Sequence, residues 1–590
     1  MCDDSQEDVE YIREAAIRNG EEKPLKRPNQ TVHFDAYGDQ GRDRENTKVL
    51  VPEGESLGKL INTGDRQKDL EDVRGVMDGI MSGKEMYIRF FCLGPKNSRF
   101  SIPCAQVTDS AYVAHSEDIL YREGYEEMQR QTAAGKGGRV FKFVHSAGEL
   151  DPETKVSTNL DKRRIYMDAD DSTVYSANTQ YAGNTVGLKK LAMRLAIKLG
   201  AKEGWLCEHM LVMAVHGPDG RKTYFTGAFP SMCGKTSTAM MDGETIVGDD
   251  IAYLMNVDGV LYAVNVEAGM FGIIKDVNSV DDPMIWHALH DPEADRIVSN
   301  VLVKDDGDIH WIGKDGDVPA RGVNHSGEWS PGKTDAKGKK IPVSHPNARF
   351  TLRLRDLPNV DPALDDPNGV PVGAIVYGGR DSDTSVPVEE SFDWVHGVIT
   401  KRAAIESETT MATLGTEGVR EFNPMSNLDF LAVPIAEYVR MNLDFGEGAK
   451  TPPVIFGVNY FIRDGMENFL NAKQDKRVWY KWMELRAHGE VDATKTPTGF
   501  IPKYEDLKRL FMEVLGKDYS REDYDKQFQL RIPERLKQLA RVEGIYRKPE
   551  LVGKTPQVLF DVLEAQRARL IEAQGRHGDY VLPGAFEGDV

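Results

Sequence analysis

Gly227-Ala228-Phe229-Pro230-Ser231-Met232-Cys233-Gly234-Lys235-Thr236-Ser237 is the stretch on which the reading of this chain turns. A strand is expected over residues 223–229 and a helix over 235–241, joined by a glycine-containing turn. Strand, turn and helix with Gly-Lys-Thr at the helix start form a phosphate cradle. Backbone N–H groups at the helix start face a phosphate, Lys235 places its ammonium on the β/γ oxygens, and the Thr236 hydroxyl holds a metal. The strict G-x4-G-K-[ST] spacing fails, because Phe229 stands where the first glycine belongs. Gly-Lys-Thr alone would also suit a plain turn, so the weight rests on its strand–helix setting. A little further on, Thr245-Ile246-Val247 leads into Gly248-Asp249-Asp250, a carboxylate pair at a strand end that suits a divalent cation.

Working outward, residues 187–200 carry apolar positions at helical spacing and read as a helix stopped by Gly200. His209–Val215 reads as a buried strand, and Met86–Cys92 as another. Gly94-Pro95 and Gly137-Gly138 are breaks. Residues 1–45 read as a loose arm with one short helix near 6–18, and 315–345 as a surface loop or insertion. Residues 405–420, rich in Thr, Ser, Glu and Gly, read as a mobile loop, and 504–575 as charged amphipathic helices. Strands alternating with helices imply an α/β protein.

The chain has 590 residues, enough for several domains with ample cores. Lys and Arg number 74 and Asp and Glu 94, a net charge of −20 that argues against binding nucleic acid or an anionic membrane. No apolar run is long enough for a membrane span, and the polar N-terminus does not read as a signal peptide. Cysteines at 2, 92, 104, 207 and 233 are sparse and odd in number, which points to reduced thiols and a cytoplasmic location.

The segment Phe229–Thr236, followed closely by Val247-Gly248-Asp249-Asp250-Ile251-Ala252, resembles phosphoenolpyruvate carboxykinase of the GTP-using family, in which a cysteine sits inside the phosphate loop. Further motifs follow the family's order. They are Arg42-Asp43-Arg44-Glu45-Asn46-Thr47-Lys48, Tyr181-Ala182-Gly183-Asn184 with Lys189-Lys190, Gly204–Leu211, His345–Phe350, Gly378-Gly379-Arg380 and Asn459-Tyr460-Phe461. The similarity spans about residues 40 to 480 and marks a divergent branch.

The resemblance implies a two-lobed α/β fold with the P-loop in the C-terminal lobe and the active site in the cleft. The N-terminal substrate-binding lobe would be 1–204. The nucleotide-binding lobe would be 205–590, with a substrate-binding section at about 271–370 and a lid at about 406–417. It implies an active-site Mn²⁺ on Lys190, His209 and Asp250, and a second ion, Mg²⁺ or Mn²⁺, held with the nucleotide by Thr236 and Asp249. A lysine ligand must be neutral, which requires burial and the cation to lower its pKa. Arg44 would grip the substrate carboxylate. Tyr181, Ala182, Gly183, Ser231, Asn347 and Ala348 would line the organic acid and CO₂. Met232, Cys233, Gly234, Lys235, Thr236 and Ser237 would hold the phosphates, and Arg349 and Arg380 would neutralise the phosphoryl group in transfer. With Lys190, His209, Lys235 and Arg349, Cys233 completes the catalytic set. It is the expected reactive thiol, its pKa lowered by the helix start and Lys235.

Relatives carry Gly where this chain has Ala182, which would cost about 1 kcal/mol if the site needs positive φ. Phe461 and Phe469 would stack the base. After Phe469-Leu470 comes Asn471-Ala472-Lys473-Gln474-Asp475-Lys476, without the third Phe, the glycines or the closing Asn of the family. Asp381-Ser382-Asp383 replaces an Arg-Pro, putting negative charge near the phosphates. The implied reaction converts oxaloacetate and GTP reversibly to phosphoenolpyruvate, GDP and CO₂ in a monomer. The alternatives are the same reaction with another phosphoryl donor, or a P-loop kinase for another small acid.

Overall fold

The computed structural model describes every residue except 136–139, 186–188, 231, 409–418, 466–467 and 588–590. It divides into two compact units: Met1–Leu199 with Asn265–Asn368, and Gly200–Val264 with Gly369–Val590. Both are mixed α/β, as the alternation of strands and helices implied.

In the first unit one sheet runs, in spatial order, Lys23–Pro24, Gln30–His33, Arg296–Ser299, Arg349–Arg353 and Gly269–Ile273. Arg296–Ser299 pairs parallel to Gln30–His33 and antiparallel to Arg349–Arg353. Residues 265–368, expected with the second lobe, are therefore tied to the first. The backbone groups of a buried strand must find partners, and those of Arg296–Ser299 find them on residues 30–33. Residues 1–45 are not a loose arm either. Ser5 caps the helix Gln6–Arg18 by accepting from the Asp8 N–H, and Ile12, Ala15 and Ala16 pack against Tyr87, Ala111 and Ala114. Part of the expected 315–345 loop is also structured: Gly322–Asn324 and Gly327–Trp329 form a hairpin, and Trp329 packs on Leu302 and Val343.

A second sheet of the first unit sets the frame for the substrate motifs. It runs Thr63–Asp65, Thr47–Val51, Arg164–Asp168, Thr173–Ala177, Phe141–Ser146, Ile102–Thr108, Tyr87–Leu93 and Arg122–Glu123. Thr47 lies opposite Ile165, and Ser176 lies opposite Ile165 on its other side. The segment entering at Thr47 and the segment leaving at Ala177 thus meet the sheet at one end.

The helix expected over 187–200 runs Lys190–Glu203, with residues 186–188 outside the described set. Gly200 does not stop it. A Cβ there would lie 2.4 Å from the Trp205 carbonyl oxygen, so that glycine serves close packing, and Gly204, at φ +79°, ends the helix.

In the second unit the strands Lys222–Ala228, Val370–Gly378 and Val454–Val458 lie side by side and parallel. Ala228 is level with Tyr377, and Gly378 with Val458. Their carboxyl ends therefore deliver three loops to one edge, where open α/β sheets bind ligands. Those loops carry the phosphate motif, Arg380 and Phe461. Of the lid expected at about 406–417 only Glu406–Glu408 is described, as a strand paired antiparallel with Arg420–Phe422; residues 409–418 lie outside the described set. Helices Tyr504–Leu515, Arg521–Gln527, Ile532–Tyr546 and Gln557–His577 fill most of the C-terminal stretch, as its amphipathic pattern led one to expect.

Candidate active site

The phosphate loop leaves the strand Lys222–Ala228 and enters the helix Lys235–Ala239 through Gly234 at φ +101°. A Cβ on Gly234 would lie 2.9 Å from the Tyr460 ring, so backbone conformation and space both demand glycine. Phe229, which breaks the usual motif, is fully buried and stacks on Tyr460 with ring centroids 5.9 Å apart. Its ring occupies the space where a Cβ on Gly378 would fall, 2.3 Å away. The departure from the strict motif is thus compensated by a glycine on the neighbouring strand.

Lys235 Nζ donates to the Asp249 carbonyl and to Asp250 Oδ1, both at 2.5 Å. Thr236 Oγ1 lies 3.4 Å from Asp249 Oδ2, and Asp249 Oδ1 is buried with no hydrogen-bond partner among the described residues. His209 Nε2 stands 3.0 Å from Asp250 Oδ1, and its Nδ1 stands 3.2 Å from the Ser426 carbonyl oxygen. A carbonyl only accepts, so Nδ1 carries the hydrogen there. Nε2 and the carboxylate oxygen it faces would repel as two lone pairs, so a proton on Nε2 or a cation lies between them. Imidazole and carboxylate together suit a divalent transition-metal ion. Among the described residues no group of three His, Cys, Asp or Glu side chains forms a metal site, so this pair would need a further ligand of another type.

Sequence reasoning missed the residues that hold His209. Asn427 Oδ1 accepts the His209 backbone N–H at 3.1 Å, and Asn427 Nδ2 donates to Glu208 Oε2 and to the Tyr438 hydroxyl. Glu208 pairs with Arg402, both fully buried, and Phe430 meets the His209 ring edge-on at 5.2 Å. Asn427 follows a turn-like Asn-Pro-Met-Ser with no local mark of function.

Cys233 corrects an expectation. It is 1% exposed, and burial pushes its pKa up despite a contact with the Ser407 hydroxyl at 3.2 Å. Desolvation of a thiolate outweighs whatever a five-residue helix contributes, so the thiol is a packed neutral group. Arg380 donates to the Met232 carbonyl at 3.2 Å and lays its guanidinium 3.9 Å above the Phe461 ring. Phe461 meets Phe469 edge-on at 6.3 Å, and Phe469 is half exposed. Asn471, on the same loop, is buried. Its amide donates to the Asn459 carbonyl, while its Oδ1 has no partner among the described residues. The acidic Asp381 and Asp383 do not stand as free negative charge. Both accept from Arg420, at 3.2 and 2.6 Å.

In the first unit the Asn347 amide donates to the Tyr181 hydroxyl at 3.0 Å and to the Gln40 carbonyl at 2.8 Å, while Arg349 donates to Asn347 Oδ1 at 2.7 Å. Ala348 is fully buried beside them. Arg44 is exposed, and Asn62 staples its segment by donating to the carbonyls of Arg44, Glu45 and Thr47. Ala182 opens the short helix Ala182–Thr185 and is absent from the positive-φ residues, so the alanine is tolerated. A Cβ on Gly183 would sit 2.4 Å from the Tyr181 ring. Lys190 starts the helix Lys190–Glu203. Ser231 lies outside the described residues.

A P-loop at the carboxyl edge of a parallel sheet, facing a histidine–aspartate pair, defines a nucleotide-dependent phosphoryl-transfer protein. The comparisons with known proteins narrow this. Residues 1–201 match the family model of the phosphoenolpyruvate carboxykinase N-terminal domain, and residues 205–569 that of the phosphoenolpyruvate carboxykinase C-terminal P-loop domain. The chain is 59% identical to a protein of Pyrococcus horikoshii over 100% of its own length and 93% of that protein. It is 44% identical to one of Saccharolobus solfataricus (99% and 92%) and 36% identical to one of Chlamydia muridarum (86% and 85%). All three carry the name phosphoenolpyruvate carboxykinase [GTP]. The chain belongs to the phosphoenolpyruvate carboxykinase family.

Proposed function

We infer that this protein converts oxaloacetate and GTP, reversibly, into phosphoenolpyruvate, GDP and CO₂. The observation that carries this is the family match across both units, with Lys235, Thr236, Asp249, Asp250 and His209 gathered at the phosphate loop. Loss of CO₂ leaves the C–C bonding pair on the substrate as an enolate. The enolate oxygen attacks the γ-phosphorus, and the bond to the bridging oxygen of GDP breaks.

His209 and Asp250 would hold an active-site Mn²⁺, and the resemblance names Lys190 as its third ligand. Thr236 and Asp249 would hold the ion that accompanies the nucleotide. When bound, such cations supply Lewis acidity toward the developing enolate and phosphoryl charge. Lys235 and Arg380 neutralise the phosphates, and Arg349 serves the phosphoryl group in transfer. Tyr181, the backbone at Ala182 and Gly183, Asn347 and Arg44 bind the dicarboxylate, with Ser231 and Ala348 alongside. Cys233 packs the loop and takes no part in the chemistry.

The base rests against Phe461 and Phe469. The buried acceptor of Asn471 suits the N1–H and N2–H donors of guanine and not the N1 acceptor of adenine. The protein would work as a cytoplasmic monomer.

The test is a coupled assay with Mn²⁺ and oxaloacetate, run in parallel with GTP, ITP and ATP. Product from GTP and ITP but not ATP supports the reading. Equal use of ATP overturns the guanine assignment alone. No product with any nucleotide overturns the activity. Replacing Lys190 by Met should raise the Mn²⁺ concentration needed for half-maximal activity about tenfold or more, and an unchanged requirement would remove Lys190 from the ligand set.

A further inference from the structure

One buried carboxylate of the first unit belongs to none of the roles above, yet it binds the turn that carries Tyr181, and the residues just after it reach the Asn347 and Arg44 segments. Asp39 is fully buried. Its Oδ1 accepts from the Thr179 hydroxyl at 2.7 Å and from Arg163 at 2.7 Å, and its Oδ2 accepts the Gln180 N–H at 2.8 Å and the Tyr181 N–H at 3.3 Å. Arg163 also holds Asp43 Oδ2 at 2.5 Å. The neighbours of Asp39 extend the same web through their backbone. The Gln40 carbonyl accepts from Asn347, the Gly41 carbonyl accepts from Asn184 at 3.2 Å, and the Asp43 N–H donates to Asn184 Oδ1 at 3.2 Å. Residues 39–43 thus fasten the turn that carries Tyr181, the Asn347 side chain and the chain leading to Arg44.

We propose that Asp39 is a positioning residue for oxaloacetate: its carboxylate fixes the backbone of Gln180 and Tyr181, and so sets where the Tyr181 hydroxyl meets Asn347. Two backbone N–H groups and a guanidinium converging on one buried carboxylate leave that turn a single arrangement. This inference rests on the substrate reading given above for Tyr181.

The test measures KM and kcat for oxaloacetate and for GTP separately in the full chain. Asp39→Asn should raise KM for oxaloacetate about tenfold or more, the scale of losing charged hydrogen bonds, and leave KM for GTP unchanged. Thr179→Val, which removes a single donor to Asp39, should raise it severalfold and carries the test if Asp39→Asn does not fold. Asp72→Asn, at a more exposed ion pair with Arg164 in the same unit, serves as the control and should change neither constant. In the double variant Asp39→Asn/Tyr181→Phe the two losses should be less than additive, because one acts through the other. Equal rises in both KM values, full additivity, or no change in either variant would overturn the proposal. If Tyr181→Phe itself leaves KM for oxaloacetate unchanged, the substrate reading fails. If Tyr181→Phe raises it and Asp39→Asn and Thr179→Val do not, only the positioning role fails.

Discussion

The phosphate loop of the second unit and the Tyr181 turn of the first are both held rigidly, but by different physics. The loop is held by shape. Gly234 takes a conformation and a space that a side chain cannot, Tyr460 closes over it, and Phe229 fits against Gly378. The turn is held by charge. Asp39, Arg163 and Asp43 bind it through a buried network whose members are scattered between residues 39 and 184. Shape-held loops should tolerate no added atom but should be indifferent to pH. Charge-held ones should accept small changes of volume and respond to charge.

The sharpest way to break that contrast is Gly234→Ala. Left-handed backbone costs about 1–2 kcal/mol for a non-glycine residue, and the contact with Tyr460 adds to it. We expect kcat/KM for GTP to fall about 100-fold or more, roughly 3 kcal/mol of lost transition-state binding. Steady-state kinetics with GTP varied checks it, and a loss under threefold would contradict a shape-held loop.

Gly183→Ala probes the turn by volume. The new Cβ meets a ring edge, which can shift. If the turn is held by charge, KM for oxaloacetate should rise less than about threefold, an effect below roughly 0.7 kcal/mol, with KM for GTP unchanged; a tenfold rise would show that the turn is held by shape as well.

The third prediction concerns pH, and uses another buried ionic cluster of the first unit. His115 lies 2.9 Å from Glu22 and 2.9 Å from Asp295. Burial alone would lower the imidazole pKa, but the two carboxylates outweigh it and hold it up at about 10. Asp295 is likewise buried, yet His115 and Arg13 bring it down to about 2. A raised histidine pKa stabilises the fold fully below the unfolded value near 6.5 and loses that contribution as pH climbs through about 10. A depressed carboxylate contributes above the unfolded value near 3.8 and loses it as pH falls through about 2. The denaturation midpoint should therefore hold from about pH 4 to 6.5 and decline from 6.5 to 10. His115→Gln should flatten the alkaline decline in a scanning calorimetry series; an unchanged slope would remove the cluster as its source.

The smallest effect is expected of Ala182→Gly, which restores the residue of the relatives. Because Ala182 is helical, the glycine should leave both KM values unchanged and cost about 0.5–1 kcal/mol of stability at most. A gain in activity would show that the alanine constrains the turn after all.

The same division governs how much was legible beforehand. The strand–loop–helix around Lys235 and the Asp249-Asp250 pair could be read locally, because glycine, lysine and carboxylates at fixed spacing state their chemistry in a few residues, whereas the Tyr181 and Asn347 motifs were legible only through the resemblance to the family. Cys233 misled, because its burial is a property of the packed loop and not of its neighbours in the chain. Asn427, Ser426 and Asp39 left no trace, since each acts on residues more than 130 positions away. The placement of residues 265–368 with the first unit was equally hidden, because a strand's partner is chosen by the ladder that satisfies its backbone.

The sequence by itself determined the α/β class, the phosphate-binding loop and the family, because periodicity and short motifs record the local demands of backbone and ligand. Only the tertiary structure decided which ring nitrogen of His209 faces Asp250, why Phe229 can replace a glycine, and which buried carboxylate holds the Tyr181 turn. Those outcomes depend on desolvation and on contacts between distant segments, and such energies come into being only when the chain has closed on itself.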